Sequence, residues 1–230
     1  MVRFFNTLIL GLILLLKISI GWGADIPTAL KHYDKGEYGE TLEIIKPLAE
    51  KGDPEAQSLL GWMYFKGQGV KKSHRKAIQW YVLSAEKGNS GAEFNLGFMY
   101  HQGHGVPQDY SEAVRWYIKA QAKDNIFAHY NLGLLVEEGK GIKEDPKLAF
   151  RLYLFGAKRG HRQSMGKVSH YLSQGEGVDI NYKLAYQWAF LAAQGGDRLG
   201  ELVLQEASAH LGKDEKQFLQ RSANHLLSEK

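Results

Sequence analysis

From residue 53 to residue 196 the apolar side chains step by four and then by three or four, the spacing that lays one stripe along a helix. Ala56, Leu60, Gly61 and Tyr64 make the first such stripe. Ala92, Leu96, Gly97 and Tyr100 make the second, and Ala128, Leu132, Gly133 and Val136 the third. A second stripe follows each: Ala77/Trp80/Tyr81, Ala113/Trp116/Tyr117, Ala149/Leu152/Tyr153 and Ala185/Trp188. Between the stripes lie paired glycines, Gly67/Gly69, Gly103/Gly105, Gly139/Gly141 and Gly175/Gly177. All of these columns repeat every 36 residues, and self-similarity at such a period predicts stacked supersecondary units. Columns that keep their residue report what each unit needs to fold. Columns that vary report what the surface is free to change.

The punctuation agrees with the stripes. Asp53, Asn89 and Asn125 precede the first helices and offer an oxygen to the free N–H groups of a first turn, with His161 the weak member of the column. Ser73, Asp109, Asp145 and Asn181 do the same for the second helices. Pro54 and Pro146 sit where a first-turn proline belongs. The glycine pairs supply the positive φ of a helix stop and a turn, and Val70, Val106, Ile142 or Val178 then plugs the loop into the core. The glycine after each leucine is expected to let a neighbouring helix come close. Helix–loop–helix units are therefore predicted at 53–88, 89–124, 125–160 and 161–196. Residues 24–52 read as a shorter capping pair whose second helix runs from Tyr38 to Lys51. Residues 197–230 read as capping helices, a truncated fifth first helix from Asp197 and a last, more polar helix over 214–227.

Leu96-Gly97-Phe98-Met99-Tyr100, Gly103-His104-Gly105-Val106, Asp109, Ala113-Val114-Arg115-Trp116-Tyr117 and Ala120 resemble the Sel1-like repeat, a 36-residue relative of the tetratricopeptide repeat. The resemblance covers residues 53–196. It implies an all-α fold, an α-solenoid of stacked antiparallel helix pairs, and a role in binding proteins. The fourth unit departs from the pattern, with Ser164, Val168, Ser169 and Leu172 in the usual Ala, Leu, Gly and Tyr columns. Solenoids of this type bind partners on the concave face lined by first helices, so the variable columns there are the candidate groove. They hold Trp62 and Phe65, then Phe94, Asn95, Phe98 and His101, then Phe127, Tyr130 and Asn131, and finally Lys167 and His170. Aromatic residues are frequent interface anchors. Asn95, Asn131 and Lys167 share one column, suited to a peptide backbone or a carboxylate.

Composition adds a location. Residues 1–23 carry Arg3, an apolar run of nine from Leu8 to Leu16, and small residues at Gly21 and Gly23. The run falls short of the roughly 20 residues of a membrane span and fits a signal peptide cleaved before Ala24, with an uncleaved anchor as the alternative. The chain has no cysteine, so it forms no disulfide and bears no lipid on cysteine. Periplasmic export is the expectation, with secretion beyond it as the alternative. Without the leader, 27 basic residues face 25 acidic ones, a balance too mild to argue for nucleic acid, and no basic run is expected to support it.

No cofactor or metal is expected. His101 and His104 straddle a glycine at a helix end, and no His-Glu-x-x-His pattern occurs. The Gly-x-Gly pairs lie between helices and are not phosphate loops. Ser73-x-x-Lys76 has the spacing of penicillin-interacting enzymes, but Ser73 is explained as a cap. Glu137-Glu138 is read as a solvated face. The expected function is a non-enzymatic protein-binding scaffold or adaptor in the envelope. The alternatives are an enzyme of cell-wall or β-lactam chemistry and a secreted factor acting on a host.

Overall fold

The computed structural model describes residues 25–227, so the expected signal segment, residues 1–23, lies outside the described residues. Among the described residues there are twelve α-helices, one 3-10 helix and no strand. They form two compact units, one ending at Lys87 and one beginning at Gly88.

The first unit holds α1 (Ile26–Asp34), α2 (Tyr38–Glu50), α3 (Pro54–Lys66) and α4 (His74–Glu86), each packed on the next. Their starts follow the capping logic. Asp25 Oδ1 accepts from the Thr28 N–H at 2.9 Å, Asp53 Oδ1 from Ala56 at 2.8 Å and Ser73 Oγ from Lys76 at 3.3 Å. Gly67 ends α3 with a φ of 76°, in the left-handed region a side chain disfavours. Ile45, Leu60 and Met63 make the core with alanines 29, 49 and 56. Each large apolar side chain so buried stabilises the unit by about 1.5–3 kcal/mol.

The second unit holds α5 (Ser90–Gln102), α6 (Tyr110–Gln121), α7 (Ile126–Glu137), α8 (Pro146–Lys158), α9 (Arg162–Gln174), α10 (Tyr182–Gln194), α11 (Arg198–Ser208) and α12 (Lys213–Ser222). From α5 to α11 each helix packs on its successor, α9 also meets α11, and α10 meets α12. The last helix expected over 214–227 divides: α12 gives way to a 3-10 turn at Ala223–Leu227 that packs on α8 and α10. Asn89, Asn125, Asp109, Asp145, Asn181 and Asp197 all cap through their side chains. His161 makes no cap bond; its Nδ1 meets Ser164 Oγ at 2.7 Å.

The glycine after each leucine has a narrower task than admitting a neighbour. A Cβ on Gly61, Gly97 or Gly133 would lie 2.8, 2.5 or 2.6 Å from the ring of Tyr81, Tyr117 or Tyr153 on the paired second helix. The flat ring lies on bare backbone, and all three tyrosines are buried. In the fourth repeat the pair is exchanged. Ser169 stands in the glycine column and Ala189 in the tyrosine column, both fully buried, and Ser169 Oγ donates to the Gly166 carbonyl at 2.7 Å. The two departures from the pattern compensate each other in volume.

The expected burial of Trp80 and Trp116 is only half realised, whereas Trp188 is buried. Trp116 is half-buried, with the Lys119 ammonium 3.9 Å from the centre of its ring.

Candidate functional site

In the second unit the first helices of the repeats are α5, α7 and α9, and their variable columns gather aromatic rings. Phe94 lies 6.5 Å from Phe98, 5.8 Å from Phe127 and 5.9 Å from the buried Tyr117, centroid to centroid. Phe127 meets His161 edge-on at 5.7 Å, and His161 in turn meets Tyr130 at 5.0 Å. Tyr130 continues to Tyr153 at 5.8 Å. Phe127 keeps 57% of its surface in water; Phe94, Phe98 and Tyr130 are half-buried. Burial holds the His161 and His101 imidazoles below their ordinary pKa and raises the Tyr130 phenol.

The polar members of the predicted set are mostly engaged. His101 Nδ1 lies 3.3 Å from the Tyr117 hydroxyl. Asn131 Nδ2 donates to the Phe127 carbonyl at 2.9 Å, on its own helix. Asn95 is half-buried on α5. His170 Nε2 lies 3.8 Å from Glu176 Oε1. Lys167 Nζ donates to Glu137 Oε2 at 2.7 Å, and the Tyr153 hydroxyl donates to the same oxygen at 2.7 Å. The expectation that Glu137 lies on a solvated face is therefore wrong. Its side chain is 22% exposed and holds together α7, α8 and α9. The ammonium that was a candidate for a partner's carboxylate already has one from this chain. Glu138 pairs separately with Lys140 at 2.7 Å.

In the first unit Trp62 and Phe65 stack at 5.7 Å, and Phe65 stacks on His74 at 5.1 Å. Trp62 Nε1 donates to the Tyr33 hydroxyl at 2.6 Å, which donates to Gln68 Oε1 at 2.6 Å, while Gln68 Nε2 donates to the Tyr38 hydroxyl at 2.7 Å. This chain of bonds ties the N-terminal pair to the first repeat. Trp62 is thus a structural bond as well as a surface ring.

The whole-chain balance conceals a basic run, Lys71-Lys72-Ser73-His74-Arg75-Lys76, which spans the end of the loop after α3 and the first turn of α4. It was legible in the sequence, and the expectation that no such run exists is wrong. Among the described residues no group of three or more His, Cys, Asp or Glu side chains is placed to hold a metal ion. No described helix is long and apolar enough to cross a membrane.

Repeating helix pairs, left-handed glycine stops and a ring-on-glycine core define an α-solenoid of tetratricopeptide type. The family model for the Sel1 repeat matches residues 54–89, 90–125, 126–161 and 163–197, and the chain belongs to the Sel1 repeat family. Proteins of this family are generally protein-interaction scaffolds, and the fold is typically non-catalytic. The chain is similar to the crystal structure of a Sel1 repeat protein from Oxalobacter formigenes, with 29% identity, 87% of this chain and 85% of that one covered, and a TM-score of 0.74. It is also similar to c5321, described as a protective antigen of uropathogenic Escherichia coli strains, with 25% identity and a TM-score of 0.73. There the match covers 90% of this chain and 47% of that one. A Sel1 repeat protein from Klebsiella pneumoniae subsp. pneumoniae shares the fold, at 19% identity and a TM-score of 0.51, over 79% of this chain and 90% of its own. No curated protein matches the sequence.

Proposed function

We propose that this chain is an exported interaction module, a scaffold or adaptor that holds a peptide segment or protein against the first-helix face of its repeats and regulates an envelope enzyme or sensor. The observation that carries this reading is Phe127, more than half exposed on α7 beside Phe94. A large exposed aromatic, backed by further rings, gains most when a partner covers it. Phe94 and Tyr130 serve as its backing, since both pack on buried tyrosines. Asn95 and the second N–H of Asn131 flank the rings as polar contacts. Export rests on the leader-like composition of residues 1–23.

The test is crosslinking of the full chain in cells, followed by mass spectrometry, for the parent and for Phe98→Ala with Phe127→Ala. The expected result is loss of the parent's crosslinked species with helicity unchanged by circular dichroism. Unchanged crosslinking yields would remove the face assignment. Cell fractionation with N-terminal sequencing tests export: a periplasmic product beginning at Ala24 is expected, and a cytoplasmic product with an intact N-terminus would overturn it.

Similarity to the c5321 protective antigen favours a second reading, in which the exported protein also meets host molecules. Antibody labelling of intact cells distinguishes it: surface signal supports it, and signal only after permeabilisation opposes it.

A further inference from the structure

The segment that ends the α3–α4 loop and opens α4 differs in charge from its three counterparts. Shifted by 36, 72 and 108 residues, segment 71–76 becomes 107–112, 143–148 and 179–184. Those segments carry Asp109 and Glu112, Glu144 and Asp145, and Asp179. Segment 71–76 carries no acid and has Lys71, Lys72, Arg75 and Lys76 instead.

Three of these basic residues line one depression. Tyr64, Val70, Lys71, Lys72, Ser73 and Lys76 line an open recess of about 410 Å³, with no carboxylate among them. The backbone beneath is fixed. The Ser73 N–H donates to the Tyr64 carbonyl at 2.9 Å. Lys72 packs so closely on Gly67 that a Cβ there would lie 2.9 Å from Lys72 Cβ. One wall holds the Lys76 ammonium 5.2 Å from the centre of the Tyr64 ring. Among the described residues, the ion pairs involve none of these three lysines. Three like charges around one recess repel one another, and an anion there offsets that cost.

We infer that this recess is a binding site for a phosphate ester, held by Lys71, Lys72 and Lys76. Three positive charges call for more than the single charge of a carboxylate. A phosphate monoester carries between one and two charges near neutrality and presents three acceptor oxygens. The cations are lysines, mobile point charges that converge on a compact polyanion. The planar fork of arginine, which matches a carboxylate edge to edge, is absent from the lining. The ester can arrive on a soluble molecule or on a lipid headgroup, and the recess recognises the group they share.

The test compares three forms of the full chain: the parent, Lys71→Gln/Lys72→Gln/Lys76→Gln, and Lys35→Gln/Lys46→Gln/Lys51→Gln. The last removes the same charge from exposed sites elsewhere in the first unit. Glycerol 3-phosphate is titrated in solution, followed by two-dimensional NMR, with acetate as the monoanion control. Phosphatidic-acid vesicles, against phosphatidylcholine vesicles, form the lipid arm, read as the difference between variants. Saturable binding of glycerol 3-phosphate is expected, with shifts at residues 64–76 and affinity well above that for acetate. It should weaken at least about tenfold in the first triple variant and stay unchanged in the second. Response in solution alone assigns a soluble ester, in the vesicles alone a lipid headgroup, and in both the phosphate group on either carrier. Matching thermal melts of the three forms show that folding is unaffected. The inference is overturned if the parent saturates in neither arm, if acetate binds equally well, or if both triple variants lose binding to the same extent.

Discussion

Gly97→Ala is the most direct test of how these helix pairs are held together. On an isolated helix the change is favourable, because alanine exceeds glycine by about 1 kcal/mol in helix propensity. Here a Cβ would lie 2.5 and 2.6 Å from Tyr117 Cδ1 and Cε1, about 1 Å inside ordinary carbon contact. The ring has no room to retreat. Tyr117 is fully buried, its hydroxyl lies 3.3 Å from His101 Nδ1, and Phe94 stacks on its face at 5.9 Å. Overpacking a filled core costs about 1–3 kcal/mol, and a collision with a pinned ring belongs in the upper part of that range. The clash therefore exceeds the propensity gain, and the net expectation is a loss of about 1–2 kcal/mol. Gly39→Ala supplies the opposite sign. Gly39 lies within α2, and a Cβ there would meet nothing within 4 Å, so the same substitution should stabilise by up to about 1 kcal/mol. Urea titrations followed by circular dichroism measure both. A double-mutant cycle completes the argument: in a Tyr117→Ala background the penalty of Gly97→Ala should vanish, because the atom it strikes has gone. Equal effects at positions 39 and 97, or a penalty that survives in the Tyr117→Ala background, would refute the ring-on-glycine account.

Two further expectations follow from buried polar groups. The Tyr81 hydroxyl is buried with no hydrogen-bond partner, whereas Tyr153 donates to Glu137, so Tyr81→Phe should be neutral or stabilising and Tyr153→Phe should cost about 1–2 kcal/mol; reversed signs in urea midpoints would contradict this. His129 is 2% exposed, its Nδ1 meets the Asn125 carbonyl at 2.9 Å, and burial holds its pKa below the ordinary 6.5. Below pH 6.5 the unfolded chain takes up a proton that the folded chain refuses. Stability should therefore be complete above that pH and fall below it by up to about 1.4 kcal/mol per pH unit, levelling off once the pH is below the folded pKa. His101 and His161 are shifted in the same direction and add to the trend. Urea midpoints at pH 7.5 and 5.5 should differ for the parent and differ less for His129→Gln; equal midpoints for the parent would count against a neutral buried imidazole.

Variation between repeats proved an imperfect guide to exposure. Gln57, Glu93, His129 and Met165 occupy one column with four identities, yet all four are buried. Each polar member finds its own partner: Gln57 donates to the Ala49 carbonyl at 3.1 Å, and Glu93 accepts from Lys123 at 2.6 Å. His129 stacks on Phe155 with ring centroids 3.5 Å apart. A column that varies because its neighbours vary looks, in sequence, like one that varies because it is solvated.

Most helix starts and stops within the repeats were determined by sequence alone, because their physics is local. An Asp or Asn bonds the N–H three residues on, and a glycine turns the chain where it stands, so Asn89, Asn125, Asp109 and Gly103 are readable without knowledge of anything distant. The 36-residue period added the fold class, because a unit repeated at that spacing buries its stripe only against its own kind. What the tertiary structure decided is which side chains of the exposed face remain available. Trp62 is engaged by a tyrosine 29 residues before it and Lys167 by a glutamate 30 residues before it, while Phe127 stays more than half exposed. Those outcomes depend on which helices come together, and no spacing along the chain specifies whether a given ammonium or indole meets a partner there.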